Sequence, residues 1–370
     1  MERYEDPDRI YKYQYSSVNR SLVDRLLKYW WRFAIKLIPA KASANLVSIV
    51  GNLGSWFATA LLCGLVVGPI DVAAKRSPWL FGLAALSLAF YHSLDAMDGI
   101  QARRTGSSGP LGEFVDHWFD SFNIFLVPLG LFMAFPVLPS AWLFIALLAC
   151  IFADWTNLRE VKMTNQLHFG PISSEEAMIA LLLAYVSMWL VGYDFWALPL
   201  PGLGVPPIYI AMVITIGGSF ATGMRSFLVG RMAWSREILA ELLTLAPIAV
   251  WALIAEKTFG RGALLVGGLL MGLSGSRFIG DLLRSRLVGL AAPLWYPDLL
   301  VMDLLLLASI LVPGLPAWVR VAAVGLFFAV LAYGLLGQFA RTLSLVRERL
   351  GIGLFGPVRK QKLDTPPRRR

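Results

Sequence analysis

Charge is scarce in this chain. Only 15% of its 370 residues are Asp, Glu, Lys or Arg, against about a quarter in an ordinary soluble domain, which argues against a water-exposed globular surface. Cysteine is nearly absent. Cys63 and Cys150 are the only two, too few for a disulfide framework, and both fall in apolar stretches where a thiol acts as a small hydrophobe. The chain opens on MERYEDPDRIYKYQYSS, which lacks the apolar core of a cleavable signal peptide, so no cleaved leader is expected. No internal repeat is evident, which leaves an inverted-repeat transporter architecture without support. No long linker or soluble domain is visible either.

What the chain has in abundance is apolar sequence, 57% of its residues, with a mean hydropathy of +0.64. The apolar residues fall in segments of about 20, the length of a helix that crosses a hydrocarbon core of about 30 Å. Ten such spans are expected, at 45–68, 78–102, 111–135, 140–160, 174–192, 207–230, 237–256, 263–284, 297–313 and 317–340. Ahead of them, SLVDRLLKYWWRFAIKLIP sets Leu22, Leu26, Leu27, Trp30, Phe33, Ala34 and Leu37 at helical spacing beside basic residues. Such a segment lies in the membrane interface or packs as a soluble amphipathic helix on the protein. The expected fold is an all-α integral membrane protein of about ten transmembrane helices preceded by an amphipathic interfacial helix. Its expected parts are an N-terminal segment (1–44), a transmembrane domain (45–345) and a basic tail (346–370).

The positive charge sits at the two ends. Residues 1–44 carry nine Lys or Arg against five acids, and residues 359–370 six against one, which accounts for the whole net charge of +9. These ends lack the interleaved aromatics of a nucleic-acid stacking platform, so no nucleic-acid partner is expected. Retention of both ends in the cytoplasm is the simpler reading. Arg103, Arg104, Arg159, Lys162, Arg231, Arg236, Arg284 and Arg286 fall in loops on that side. The opposite loops are poorer in charge, with Lys75, Arg76, Lys257 and Arg261.

Against this background, YHSLDAMDGIQARRTGSSGPLGEFVDHWFDS at 91–121 is out of character. Asp95 and Asp98 share one face of a helix, and Glu113, Asp116 and Asp120 share a face of the next. The basic turn RRTGSSGPL joins them, so the two acidic faces converge at one membrane boundary. One ionised Asp at the centre of a membrane helix costs about 3 kcal/mol, and four unpaired ones on the order of 10 kcal/mol. Arg103 and Arg104 cannot neutralise them all. Two divalent cations can, and hard oxygen ligands suit Mg²⁺ or Mn²⁺. Such a pair is a clamp for phosphoryl chemistry. Gly99 costs about 1 kcal/mol relative to Ala in a helix, which gives it a steric purpose: with Ala102 it leaves the helix backbone open to a nucleotide.

In order, these residues read D-x-x-D-G-x-x-A-R, eight residues, G, three residues, D, three residues, D. This resembles the signature of the CDP-alcohol phosphotransferases, with Asp95, Asp98, Gly99, Ala102, Arg103, Gly112, Asp116 and Asp120 each in place. SLDAMDGIQARR, GEFVDHWFDS and the NLVSIVGN opening of the first span are similar to the choline/ethanolamine phosphotransferase branch. Weaker similarity reaches LHFG at 167–170 and fades beyond about residue 195. The resemblance implies a helical membrane enzyme, often a homodimer, with a metal site open to the cytoplasm. By the same resemblance, diacylglycerol would attack the β-phosphorus of CDP-ethanolamine or CDP-choline and expel CMP. Asp95, Asp98, Asp116 and Asp120 would hold two metal ions, and Asn45, Gly99, Ala102 and Arg103 would seat the CDP portion.

The resemblance leaves the catalytic base open. The wider family points to Asp120, but a metal-bound carboxylate is a poor base. Histidine exchanges protons near neutrality, which favours His117, with Glu113 orienting it or sharing the proton. His92 and His168 have no such company and are taken as structural. Trp118 and Phe119 stand where relatives often have small residues, so the lipid entrance or the alcohol pocket is expected to differ. Glu160 lies near the place where ethanolamine-using relatives have Trp-Glu and choline-using ones Gln. A carboxylate favours a primary ammonium, whereas a quaternary one prefers an aromatic cage. Two other classes fit less well. An intramembrane prenyltransferase keeps its Asp motifs on well-separated helices, and a cation-coupled transporter would hold its acids near the midplane, away from an Arg-rich loop.

Overall fold

The apolar segments fold as helices throughout, in a computed structural model that describes residues 4–13, 17–19, 21–65, 78–169, 174–230 and 236–355. The end of the first expected span, Lys75, Arg76, Gly170, Arg231 and the tail from residue 356 lie outside the described residues. The helices are α1 (Leu22–Ala34), α2 (Ala44–Leu62), α3 (Pro78–Thr105), α4 (Pro110–Ala134), α5 (Ser140–Thr164), α6 (Ser174–Val191), α7 (Tyr193–Ala197), α8 (Pro207–Val229), α9 (Arg236–Phe259), α10 (Arg261–Val288), α11 (Pro297–Leu311) and α12 (Ala317–Leu350). Two three-residue strands, β1 (Ser17–Asn19) and β2 (Leu167–Phe169), pair in parallel with Ser17 opposite Leu167.

Among the described residues, seven helices are long and apolar enough to cross a membrane, namely α2, α3, α5, α8, α9 from Ile238, α10 and α12. The protein is therefore an all-α, multi-pass integral membrane protein, with seven such spans rather than the ten expected. The three others fall short for physical reasons. Helix α4 carries Glu113, Asp116 and Asp120. Helix α6 has 18 residues but opens on Glu175 and Glu176, so its charge-free run, 177–191, is only 15 residues long. Helix α11 has 15 residues, short of the 17 or so that a spanning helix needs.

Helix α4 is packed on one side by α2 and on the other by α10, while α3 lies along α2. Gly51 and Gly54 make the α2–α3 approach possible. A Cβ on Gly54 would lie 2.6 Å from the Ser87 carbonyl oxygen, and one on Gly51 2.9 Å from Leu94 Cβ. Only glycine admits the neighbouring backbone at that distance. Gly106, at φ +67°, ends α3 in the left-handed region that glycine enters freely. Pro110 then stands in the first turn of α4, where its missing N–H costs nothing. The hairpin that carries the carboxylates is thus fixed by two residues with special backbones.

The apolar interior divides in two. One cluster, with Phe81, Phe125, Phe132, Leu264 and Met271, fills the bundle. The other, with Ile10, Leu111, Phe114, Leu283, Val346 and Leu350, closes the end where α3 stops and α4 starts. The N-terminal residues fold over that same end. The Glu5 and Asp6 amides donate to the Gly289 carbonyl at 2.8 and 3.2 Å. Arg9 Nε donates to the Arg286 carbonyl at 2.6 Å, Lys162 pairs with Glu5 at 2.9 Å, and Arg349 donates to the Pro7 carbonyl. Helix α1 and the short 3₁₀ turn after it, Ile35–Leu37, leave Leu26, Trp30, Phe33 and Leu37 exposed while burying Trp31 and Ala34.

Candidate active site

The α3–α4 hairpin brings the carboxylates together. Asp95, Asp98 and Asp116 form one group whose ligand oxygens lie within 4.8 Å of one another, and Asp116, His117 and Asp120 form a second. Asp116 belongs to both. One of its oxygens, Oδ1, is buried with no hydrogen-bond partner among the described residues. A buried carboxylate oxygen left bare is costly, and a hard divalent cation removes that cost. The donor set is nearly all oxygen, as Mg²⁺ or Mn²⁺ prefers. These residues fit such an ion.

A polar network from α2 and α3 fixes the carboxylates. Ser48 Oγ donates to Asp98 Oδ2 at 2.5 Å. Asn52 Nδ2 donates to the Ser48 carbonyl at 2.9 Å, and its Oδ1 accepts from Asn123 Nδ2 at 2.6 Å. Asn123 also reaches Asp120 Oδ1 at 3.4 Å, where the Tyr91 hydroxyl donates at 2.9 Å. Tyr91 is one turn before Asp95, so α3 supplies both the carboxylate and the hydroxyl that steadies the second group. Asp154 on α5 interacts electrostatically with both His117 and Asp120.

Around the nucleotide seat expected from the sequence, a Cβ on Gly99 would meet no foreign atom closer than 3.6 Å, and that atom is the Arg103 guanidinium. Space beside Asp98 is therefore open and faces a positive charge. Ala102 is half-buried and Arg103 exposed. Asn45 Nδ2 donates to the Leu354 carbonyl at 2.9 Å, and a Cβ on Gly112 would lie 3.6 Å from Asn45 Oδ1. Asn45, Ser107, Gly112 and Leu354 line a small cavity at this end.

Two expected site residues lie elsewhere. Glu113 is not in either carboxylate group. It is buried, forms an ion pair with the buried Arg286 of α10, and accepts from the Tyr13 hydroxyl at 2.6 Å. Glu160 is 0% exposed and pairs with Arg225 of α8 at 3.4 Å. It joins α5 to α8. The bulky pair Trp118 and Phe119 forms an aromatic group with Phe122, Phe339 and Trp56. His92 is buried against Trp31 and lies 3.5 Å from Glu175. The side chain of His168 lies outside the described residues.

Fold and site together define a multi-pass helical membrane protein with a carboxylate centre suited to hard divalent ions. The family described as CDP-alcohol phosphatidyltransferase matches residues 42–217, a range that contains every residue of that centre. The chain is similar to cholinephosphotransferase 1 of Xenopus laevis, 31% identical over 245 residues, which are 65% of this chain and 60% of that protein. The Gallus gallus protein of the same name is 30% identical over 213 residues, 57% of this chain and 62% of its own length. An uncharacterized CDP-alcohol phosphatidyltransferase class-I family protein 3 of Dictyostelium discoideum is 32% identical over 197 residues, 51% of this chain and 47% of its own. The alignments thus span between about half and six tenths of the length of these curated relatives. Over nearly half of its length the chain thus matches the CDP-alcohol phosphatidyltransferase family, and it is similar to cholinephosphotransferases.

Proposed function

We propose that this chain transfers phosphoethanolamine or phosphocholine from a CDP-alcohol to the hydroxyl of diacylglycerol, forming a phospholipid and releasing CMP. The observation that carries the proposal is the sharing of Asp116, with its bare Oδ1, between two ligand groups on one hairpin. In this reading Asp95, Asp98, Asp116 and Asp120 hold two Mg²⁺ or Mn²⁺ ions. When bound, the ions offset pyrophosphate charge and stabilise the leaving phosphate oxygen. Asn45, Gly99, Ala102 and Arg103 seat the CDP portion beside the open face of α3. His117 takes the proton of the acceptor hydroxyl, and the new P–O bond forms as the bond to CMP breaks.

Glu113 then acts on His117 at a distance, by fixing the start of α4 through Arg286 and Tyr13. Asp154 on α5 bears electrostatically on His117 and Asp120, and in this reading it draws the ammonium of the head group. Glu160 supports α5 from behind. The aromatic group around Phe119 borders the acceptor's route from the bilayer. We place the carboxylate centre and both termini on the cytoplasmic side. In this reading α4, α6 and α11 complete a ten-helix bundle, α1 lies in the interface, and two copies associate as a homodimer. The parts expected from the sequence, 1–44, 45–345 and 346–370, remain the proposed organisation, with α12 carrying on to Leu350.

The test incubates the purified full chain with diacylglycerol, Mg²⁺ or Mn²⁺, and either CDP-ethanolamine or CDP-choline, and measures CMP and lipid product. Asp98→Ala should abolish turnover. A folded protein that releases no CMP from either donor would refute the proposal.

A further inference from the structure

Helix α1 has three faces, of which one is buried against the protein. Trp31 and Ala34 turn inward and are buried. Leu26, Trp30, Phe33 and Leu37 form a second, exposed face at three- and four-residue steps. Between these two runs a third line, Arg25, Lys28 and Arg32, spaced by three and four residues, so that the three side chains project from one stripe, and Lys36 follows in the short 3₁₀ turn Ile35–Leu37 that continues the helix. All four are exposed, and among the described residues no carboxylate pairs with any of them. An apolar face beside an unpaired basic stripe is complementary to one kind of surface, a bilayer whose headgroups are negative.

Helix α1 and the segment that follows it are tied to the catalytic helix at both ends. At one end, the Trp31 ring packs edge-on against His92, and Trp30 Nε1 donates to Ser93 Oγ at 3.0 Å. His92 is next to Tyr91, whose hydroxyl holds Asp120. At the other end, the fully buried Gln101 donates to the Ala42 carbonyl at 2.8 Å and to the Pro39 carbonyl at 3.2 Å. Arg104 donates to the Ile35 and Ile38 carbonyls at 3.4 and 3.3 Å. Gln101 and Arg104 bracket Ala102 and Arg103, the proposed nucleotide seat. A displacement of α1 therefore pulls on α3 at the residues flanking both halves of the site.

Resting on the interfacial placement of α1 in the proposed function, we propose that α1 is an anionic-lipid sensor. Its basic stripe docks on negatively charged headgroups, and that docking sets turnover through the Trp31–His92 contact and the Gln101–Arg104 latch. Each basic side chain near such a surface shifts the docked population about fivefold.

The experiment places the full chain in phosphatidylcholine vesicles containing rising fractions of phosphatidylglycerol. Two signals are followed. One is CMP release at saturating donor. The other is the emission of an environment-sensitive fluorophore on Phe33→Cys, with Cys63 and Cys150 replaced by Ser. Emission should shift to the blue and turnover should rise severalfold as phosphatidylglycerol increases. The variant Arg25→Gln/Lys28→Gln/Arg32→Gln/Lys36→Gln should lose both responses and keep its turnover in pure phosphatidylcholine. Emission that ignores the anionic fraction overturns the sensor, and a shift in emission without a change in turnover overturns the coupling. A chain inactive in every lipid would count against the proposed reaction instead, and the emission signal would still decide whether α1 binds the anionic surface.

Discussion

The Tyr91 hydroxyl of α3 donates to Asp120 Oδ1 of α4 at 2.9 Å, bridging the two helices of the acidic hairpin. Hydrogen bonds to charged groups contribute about 1.5–3 kcal/mol. Tyr91→Phe removes this one while keeping the ring. Turnover should fall by about ten- to a hundredfold, and thermal stability should fall with it. Unchanged turnover would show that Asn123 alone holds Asp120 in place.

Removal of divalent ions tests the carboxylate groups directly. Chelation by EDTA should abolish turnover, and added Mg²⁺ or Mn²⁺ should restore it. Asp116→Asn should raise the ion concentration needed more than Asp95→Asn does, because Asp116 serves both groups. Equal shifts for the two variants would contradict a shared ligand.

General bases contribute about 10²- to 10⁴-fold. His117→Ala should lower kcat by an amount in that range while leaving KM for the CDP-alcohol nearly unchanged. A fully active His117→Ala would pass the proton to Asp120, since Glu113 is engaged elsewhere.

The buried pair of Glu113 and Arg286 gives a stability prediction. Arg286→Leu strands a buried carboxylate and should cost about 3–5 kcal/mol, whereas replacing both charges with apolar residues is often close to neutral. Thermal unfolding in detergent should therefore rank Glu113→Leu/Arg286→Leu above Arg286→Leu alone. The reverse order would mean that the pairing is not made in the protein.

The carboxylate hairpin was legible because its logic is local. Asp95 and Asp98, like Asp116 and Asp120, are separated by helical steps, and one short turn joins the two sets. Tyr91 was within reach of the same rule, being one turn before Asp95, but a tyrosine in an apolar span reads as packing. Ser48, Asn52 and Asn123 were not legible as partners. Their contacts depend on α2 crossing α3 at Gly51 and Gly54, and no spacing within one segment encodes a crossing. Arg286 lies far downstream of Glu113, so its pairing emerges only when α10 packs on α4. Span ends were misjudged in both directions: the helix of the 45–68 segment stops at Leu62 and that of the 297–313 segment at Leu311, while other helices run on past the expected ends. The 263–284 segment became Arg261–Val288 and the 317–340 segment Ala317–Leu350. Hydropathy marks where lipid stops, whereas the backbone ladder continues through polar residues that remain packed on protein.

Helix α12 runs unbroken for 34 residues, about 51 Å at 1.5 Å per residue. That is about 20 Å more than the hydrocarbon thickness it crosses. The excess works as a mast. It sets the height at which Leu354 hangs beside Asn45, so the clearance over that corner of the protein is measured out in turns of helix. Deleting one turn would lower the mast by about 5.4 Å and rotate its tip only slightly, changing the clearance without altering any residue that lines it.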